Sequence, residues 1–467
     1  MLRMARMKAA QGTARRRIPL VLLMFAMLGA ALPAGRTDRL SWEMLPAQDS
    51  QGRTLGTLVV SSILRSGSSD AQRPTLIVFN GGPGASSAWL QLGLLGPLQA
   101  DLPADPAVPI PSEPRLRAAP GRIGDLADVL FVDPLDTGFS RRAATVEAKR
   151  LRTLDADGDY LARAIALWLV RHDRVGQPVV LVGESYGAER AVAVADAWQR
   201  TGAGIHLAGL VLISQTVLNE FALGQEDRAL ALATGLPTVA ATACYHRLVD
   251  GAAHDPDACA EQAAASDTLA TKAVFANGSQ PISRNAYRMV ALQDRQRALG
   301  MYDSRRTAPV DPRRGWQDPS LAPLLQAMSH AVPRYNRALL GLMRSPVDGS
   351  AYVLYDPLIR ATWQPTPGGA YGLADRLGTV LRTSGARLLV AGGLFDCVGS
   401  VGADRLLLSR LGLPPGTASA VRYPGGHMFY LEPQNRTRFR ARLERFLRDL
   451  APPRPSRTDL PASPEKA

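Results

Sequence analysis

The chain has 467 residues, 46% hydrophobic and 20% charged, with a net charge of +13. This length and composition argue against a low-complexity chain and predict a globular protein, either one large catalytic domain with an insertion or two to three ordinary domains. Residues 1–34 hold six basic groups and no acid, and only four of the 54 basic residues are lysines. The charge is therefore arginine spread along the sequence rather than a phosphate-binding patch, and we expect no nucleic-acid partner.

The N-terminus has the build of a secretory signal peptide. A basic stretch precedes the apolar run IPLVLLMFAMLGAAL, and small residues follow near Ala34. The run is short for a membrane span, so an uncleaved anchor is the weaker alternative. We predict a signal peptide over 1–34 with cleavage around Ala31 to Gly35, export to the periplasm or the medium, and no stable membrane association afterwards.

Strand and helix patterns alternate between residues 35 and 216. Four continuous apolar runs are typical of buried parallel strands: 73–80, 126–133, 178–184 and 207–214. Helical spacing precedes and follows the third run. The alternation predicts an α/β core with a mostly parallel sheet flanked by helices.

After this region the alternation stops. Residues 217–380 are mostly Ala-, Leu- and Arg-rich with helical spacing, and we predict a helical cap insertion over an active site. Sheet patterns return at 386–395 and 419–426 before a C-terminal helix, so residues 381–450 complete the core. The Pro-rich tail at 451–467 is predicted to be disordered.

The stretch VVLVGESYGAERAVAVADAW places a serine at a strand-to-helix junction. Its GESYG core, with Ser185 at the centre, fits G-x-S-x-G, the elbow that lifts a serine hydroxyl clear of an α/β-hydrolase sheet. Five-residue glycine patterns are common, so the motif alone does not decide between an elbow and a coincidence. The surrounding parallel-strand pattern favours Ser185 as a nucleophile.

A serine nucleophile needs a base and an acid, and in α/β-hydrolases they follow it in the order acid, histidine. Of the six histidines, His427 alone follows a credible last strand, in YPGGHMFY. Asp396 directly follows the run LLVAGGLF and is the predicted acid. Asp404, Asp375 and Asp356 are the alternatives.

An oxyanion hole in this fold uses the amide after the nucleophile and a second amide from an earlier strand-end loop. The loop NGGPGASS, residues 80–87, follows the strand RPTLIVFN. We predict the backbone amides of Gly82 and Tyr186 as the two donors.

Five blocks of sequence occur in the order found in one family: NGGPG, FVDPLDTGFS, GESYG, GLFD and GGHM. Over about residues 70–215 and 385–447 the chain resembles the serine carboxypeptidases, in their secreted bacterial branch. The resemblance implies an α/β-hydrolase fold with a helical cap, a peptide substrate and release of C-terminal residues through an acyl-enzyme on Ser185. His427 would act as general base and then acid, with Asp396 orienting it.

The resemblance also implies a site for the free carboxylate of the substrate, made by Asn80, the Gly81 amide and Glu184. A carboxylate binds a carboxylate only by sharing a proton, which favours a mildly acidic working pH. Better-known members have a second glutamate fourteen residues after the asparagine, where this chain has Leu94. An esterase, acyltransferase or aminopeptidase with the same triad therefore stays open, and a non-catalytic binding protein on this scaffold is a weaker alternative.

The three cysteines are an odd number for an exported chain. Cys244 and Cys259 are predicted to form a disulfide, and Cys397 to be a packing thiol. His246 and His254 lie near the pair, but the spacing matches no common metal-ligand pattern. We expect neither a metal nor another cofactor.

Overall fold

The part of the chain that the computed structural model describes comprises residues 38–65, 73–121, 123–219, 227–248, 255–264, 297–309, 318–366 and 368–450. The predicted signal peptide and the Pro-rich tail lie outside these residues, so both stay predictions. Among the described helices, none combines the length and apolar character that a membrane span requires.

Within the described residues, the strands form a nine-stranded mixed sheet. Eight of its strands are, in chain order, β1 Asp38–Gln48, β2 Thr54–Arg65, β3 Thr75–Phe79, β4 Asp128–Val132, β5 Val179–Glu184, β6 Leu207–Ile213, β7 Arg387–Gly393 and β8 Ala418–Tyr423. The short ninth strand, Arg141–Arg142, pairs with β2. The order across the sheet is β1-β2-β4-β3-β5-β6-β7-β8. β2 is antiparallel to both of its long neighbours, and all pairs from β4 to β8 are parallel.

Helices cover both faces of the sheet. Those used below are α1 Leu154–Arg171, α2 Tyr186–Thr201, α3 Arg228–Tyr245, α4 Leu321–Leu340, α5 Pro357–Ala361, α6 Gly369–Ser384, α7 Val401–Leu411 and α8 Pro433–Arg448. Alternate residues of the central strands enter separate apolar clusters, Ile77 and Leu181 on one face and Leu76 and Val180 on the other. Burial on both faces is why these strands are continuously apolar in sequence. The α/β-hydrolase fold class is confirmed.

Helix α6 lies inside the range 217–380 that the sequence assigns to the cap. Its Leu377 and Leu381 join the apolar cluster on the α1 and α2 face of the sheet, and the helix packs on α2. Helix α4 contributes Met328 and Tyr335 to the cluster on the opposite face. The division of the chain into core and cap at 216 and 380 stays a prediction.

Cys244 and Cys259 form a disulfide, as predicted. It packs with Phe395 and Val401, on either side of Asp396 along the chain. The expectation that Cys397 is a packing thiol is wrong, because this side chain is exposed while the neighbouring Asp396 is fully buried. Within the described residues, no group of side chains is arranged to hold a metal ion, and His254 lies outside them.

Candidate active site

The strand-to-helix elbow holds Ser185 in a backbone conformation that side chains rarely adopt, with φ +58° and ψ −130°. Its amide donates to the carbonyl of Ile213 on β6 at 2.9 Å. A Cβ on Gly183 would lie 2.1 Å from the carbonyl oxygen of Gly187, and one on Gly187 would lie 2.7 Å from that of Phe79. Both glycines are therefore required by close packing, and the rigid surroundings maintain the strained serine.

Asp396 and His427 are in direct contact. Nδ1 of His427 lies 2.7 Å from Oδ2 of Asp396, and both side chains are buried. The other carboxylate oxygen accepts from the amides of Val398 at 2.8 Å and Gly399 at 3.2 Å. The Ser214 hydroxyl donates to the carbonyl of His427 at 2.6 Å. These bonds fix the orientation of the ring and aim its Nε2 away from the carboxylate.

Nε2 of His427 faces Glu184 across 3.7 Å. Ser185, Glu184 and His427 line one cleft. Nε2 has no hydrogen-bond partner among the described residues, so Ser185 and His427 share the cleft without a hydrogen bond between them. Such bonds are often long in unliganded enzymes and tighten when substrate binds.

Glu184 and His427 compete for a proton. Burial by itself lowers the pKa of His427, but the charge and hydrogen bond of Asp396, together with the charge of Glu184, outweigh burial and raise the pKa above its ordinary value. Burial raises the pKa of Glu184, against the opposing effects of His427 and of a hydrogen bond from Asn80. His427 and Glu184 therefore each bind a proton more tightly in this cleft than the same side chain would in water.

The three residues predicted to bind the substrate carboxylate lie together. Nδ2 of Asn80 donates to Oε2 of Glu184 at 2.8 Å, and the Gly81 amide also hydrogen-bonds this carboxyl group. Oδ1 of Asn80 accepts from the amide of Leu90 at 3.1 Å, which fixes the amide orientation. Leu94 is fully buried in an apolar cluster, so this position contributes no polar group to the clamp.

The NGGPG loop lies directly against the elbow. A Cβ on Gly81 would be 2.5 Å from the amide nitrogen of Tyr186. The next residue, Gly82, has φ +101° and lines the cleft beside Ser185. Of the two predicted oxyanion donors, Gly82 thus lines the cleft, and the residue before it lies against the amide of the other, Tyr186.

The block FVDPLDTGFS holds the NGGPGASS loop through hydrogen bonds to Asp133. Oδ1 of Asp133 accepts from both the amide and the hydroxyl of Ser87 at 2.7 Å, and Oδ2 accepts from the Tyr352 hydroxyl at 3.1 Å. A Cβ on Gly138 would lie 1.7 Å from that carboxylate, which explains the glycine. Asp133 therefore acts as a structural support for the loop that follows β3.

A buried ion pair beneath the elbow was missed by the sequence analysis. Nε of Arg190 lies 2.6 Å from Oδ2 of Asp157, and the arginine also donates to the carbonyl of Asn80. The pair joins α1, α2 and the end of β3. The sign of this pair in the sequence is Arg190, a charged residue directly before the Ala- and Val-rich part of the helix that follows Ser185.

The walls of the cleft were also missed. Its aromatic and aliphatic lining consists of Trp89, Tyr302, Leu321, Leu325, Tyr355 and Met428. Four of these side chains come from the region between β6 and β7, where no motif marked them. These aromatic and aliphatic side chains make the interior of the cleft mostly apolar around Glu184, Ser185 and His427.

The three alternative acids do not contact His427. Asp404 is buried and accepts from Nε2 of Gln215 at 3.0 Å, whereas Asp375 is exposed and pairs with Arg410 at 3.0 Å. Asp356 caps the start of α5. Of the four candidates, Asp396 alone is brought to the imidazole.

The fold and this cleft define an α/β-hydrolase. Residues 62–225 match the model of a family described as serine carboxypeptidase. This match confirms the resemblance to that family over these residues, which include the GESYG elbow. No curated protein matches the chain with significant similarity.

Of three solved structures that are similar to this chain, the first supports the fold. A prohormone-processing carboxypeptidase from Saccharomyces cerevisiae is 15% identical, with 88% of this chain and 92% of that chain covered and a TM-score of 0.58. A peroxisomal α/β-hydrolase from the same yeast is 13% identical, with coverages of 92% and 93% and a TM-score of 0.43. An esterase from a Rhodococcus species is 17% identical, with coverages of 87% and 99% and a TM-score of 0.40.

The buried Asp404 predicts a pH-dependent stability. Burial, partly offset by the hydrogen bond from Gln215, raises its pKa from 3.8 to about 7. The folded state therefore binds this proton more tightly than the unfolded state, and the stability from this group is lost as pH rises from about 4 through about 7. We expect Asp404→Asn to be more stable than the wild type at about pH 8, by up to about 4 kcal/mol, with a smaller difference at about pH 5.

Urea unfolding of both proteins across this pH range measures the effect. Asp375→Asn, at an exposed carboxylate, is the matched control and should follow the wild type. A difference between Asp404→Asn and wild type that does not grow with pH would contradict the prediction.

Proposed function

We propose that this enzyme is a serine-type carboxypeptidase that releases C-terminal residues from peptides through an acyl-enzyme on Ser185. The observation that carries the proposal is the position of Glu184. This buried carboxyl group is hydrogen-bonded by Asn80 and Gly81 and lies 3.7 Å from Nε2 of His427, in the same cleft as Ser185. Ester hydrolysis alone needs no protonatable carboxyl group there, whereas recognition of a free C-terminus uses one.

In the proposed reaction, the Ser185 hydroxyl attacks the scissile carbonyl carbon while Nε2 of His427 accepts its proton. Asp396 keeps the proton on Nδ1 and stabilises the imidazolium. The amides of Gly82 and Tyr186 donate to the oxyanion of the tetrahedral intermediate. His427 then protonates the leaving amine, and a water molecule attacks the acyl-enzyme by the reverse sequence.

Glu184 would bind the carboxylate of the substrate only when one proton lies between the two groups. Burial favours the protonated form of Glu184, and Asn80 and Gly81 hold it in a fixed orientation. In this proposed binding mode, the scissile bond would lie one residue away from the bound C-terminus, as exopeptidase cleavage requires.

A broader acyl hydrolase, such as an esterase, acyltransferase or aminopeptidase, is the second candidate. The apolar lining of the cleft and the burial of Leu94 favour it, because the clamp for a free carboxylate has one glutamate instead of two. The same Ser185, His427 and Asp396 would act on another acyl group.

Matched substrates separate the two candidates. We expect the purified mature protein to cleave an N-blocked dipeptide that ends in a free carboxylate at least about 100-fold faster than its C-terminal amide, since a charge-assisted hydrogen bond is lost in the amide. Ser185→Ala should abolish the cleavage. Equal Ser185-dependent turnover of acid and amide, or turnover of simple esters alone, would assign the broader activity.

The charge of Glu184 predicts a shifted pH profile. Because this carboxylate helps to raise the pKa of His427, Glu184→Gln should lower that pKa. The base is active when neutral, so the acidic limb of kcat/KM for a neutral ester should move to lower pH in the variant. Glu189→Gln is a matched control, since Glu189 is also in the elbow region but bonds Thr216 instead. An acidic limb that moves equally in both variants would contradict this role for Glu184.

We also propose that the enzyme is exported. The Cys244–Cys259 disulfide supports this proposal, because disulfides persist mainly in oxidising compartments. N-terminal sequencing of the protein from periplasm and medium should find a chain that starts near residues 31–35. An intact N-terminus on protein retained in the cytoplasm would contradict it.

A further inference from the structure

A segment of the chain lies across the NGGPG loop and positions one arginine near the cleft. Tyr355 forms an isolated antiparallel bridge with Ala85, and the amide of Asp356 donates to the carbonyl of Gly84 at 3.0 Å. Helix α5 begins directly after this contact and carries Arg360. The backbone that presents Arg360 is therefore attached to the loop that forms one end of the cleft.

The Arg360 side chain contacts two tyrosines of the cleft wall. Its Nη1 lies 3.4 Å from the hydroxyl of Tyr302, and it also hydrogen-bonds the hydroxyl of Tyr355. The Tyr302 ring packs edge-on against the His427 ring, with 5.1 Å between the ring centres. Arg360 itself is exposed and lies next to two side chains that line the cleft.

Without this arginine, the described residues that line the cleft include no permanently positive side chain to bind a carboxylate. Among the described lining residues, Glu184 and His427 are ionisable near neutral pH, and no lysine or arginine is included. Glu184 repels a carboxylate unless a proton is shared. A guanidinium has five N–H donors in a planar fork that matches a carboxylate, and two tyrosine hydroxyls use only part of them.

We propose that Arg360 binds the carboxylate of the C-terminal residue of the substrate. The carboxylate is either the terminal group itself or an acidic side chain on the same residue. Arg360 is thus a specificity-determining residue that compensates for the single glutamate of the clamp. The inference rests on the proposed carboxypeptidase function, but its test does not require peptide cleavage.

The test measures inhibition of neutral ester hydrolysis by small product analogues. N-acetyl-alanine carries a terminal carboxylate, N-acetyl-alanine amide carries none, and N-acetyl-aspartate α-amide carries only a side-chain carboxylate. We expect Arg360→Gln to raise the inhibition constant of at least one carboxylate analogue about 10- to 100-fold relative to that of the uncharged amide. Arg360→Lys should recover part of the loss, because the charge is kept but the fork is not.

The matched control is Arg382→Gln, which removes an exposed arginine from α6. It should leave the inhibition constants of all three analogues unchanged. Thermal melts of each variant, together with Arg360→Lys, guard against misfolding.

The pattern of inhibition identifies the source of the carboxylate. A loss confined to N-acetyl-alanine assigns Arg360 to the terminal group, and a loss confined to N-acetyl-aspartate α-amide assigns it to an acidic side chain. Equal changes for the amide and the acids would show that Arg360 only positions Tyr302 and Tyr355, and would overturn the proposal. Unchanged constants in Arg360→Gln, or a wild type that binds acids no better than the amide, would also overturn it.

Failure of the proposed function gives a different result. In that case, no Ser185-dependent peptide cleavage is found, while the selective effect of Arg360→Gln on the carboxylate analogues persists.

Discussion

The close approach of two parallel strand ends is the constraint on which the rest of the site depends. β3 and β5 are neighbours, and the chain turns out of each at the same edge of the sheet. Gly81 and Gly187 lack the side-chain atoms that would separate these turns. Because the turns touch, Asn80 reaches Glu184, and the loop carrying Gly82 lies beside Ser185. His427 and the aromatic walls line the same cleft as Ser185, and Asp396 bonds the histidine.

Electrostatics then determine how the site holds protons. Asp396 and Glu184 flank one imidazole, on Nδ1 and Nε2 respectively, and all three groups are buried. A third buried carboxyl, Asp404, is near enough for the charge of Asp396 to raise its pKa. With so little water to screen them, these acids cannot all be ionised at low cost. Glu184, Asp404 and His427 therefore hold a proton more tightly than the same groups would in solution. In the proposed function, the carboxylate of the substrate would add a further negative charge to this cluster.

Local sequence patterns were sufficient to predict the strands of the sheet and the polar residues at their ends. Buried strands are continuously apolar, and chain order restricts where an acid and a histidine can follow a nucleophilic serine. The contact between Asp396 and His427, and the presence of Ser185 in the same cleft, could therefore be predicted without a structure. The Arg190–Asp157 pair and the walls formed by Tyr302 and Tyr355 were not predicted. Those contacts join residues far apart in the chain, and their partners are set by packing rather than by any spacing in sequence. The exposed Cys397 was misjudged for the same reason.

The attachment of Tyr355 and Asp356 to the loop at Gly84 and Ala85 affects how substrates enter. An outward movement of this segment would break its backbone hydrogen bonds to the predicted oxyanion loop. Such a movement would therefore also disturb the geometry of that loop. Leu321 and Leu325, which line the cleft from the start of α4, have apolar side chains and no such bonds to the loop among the described residues. We therefore expect Leu321 and Leu325 to set the width of the cleft more readily than the segment at Tyr355 and Asp356 does.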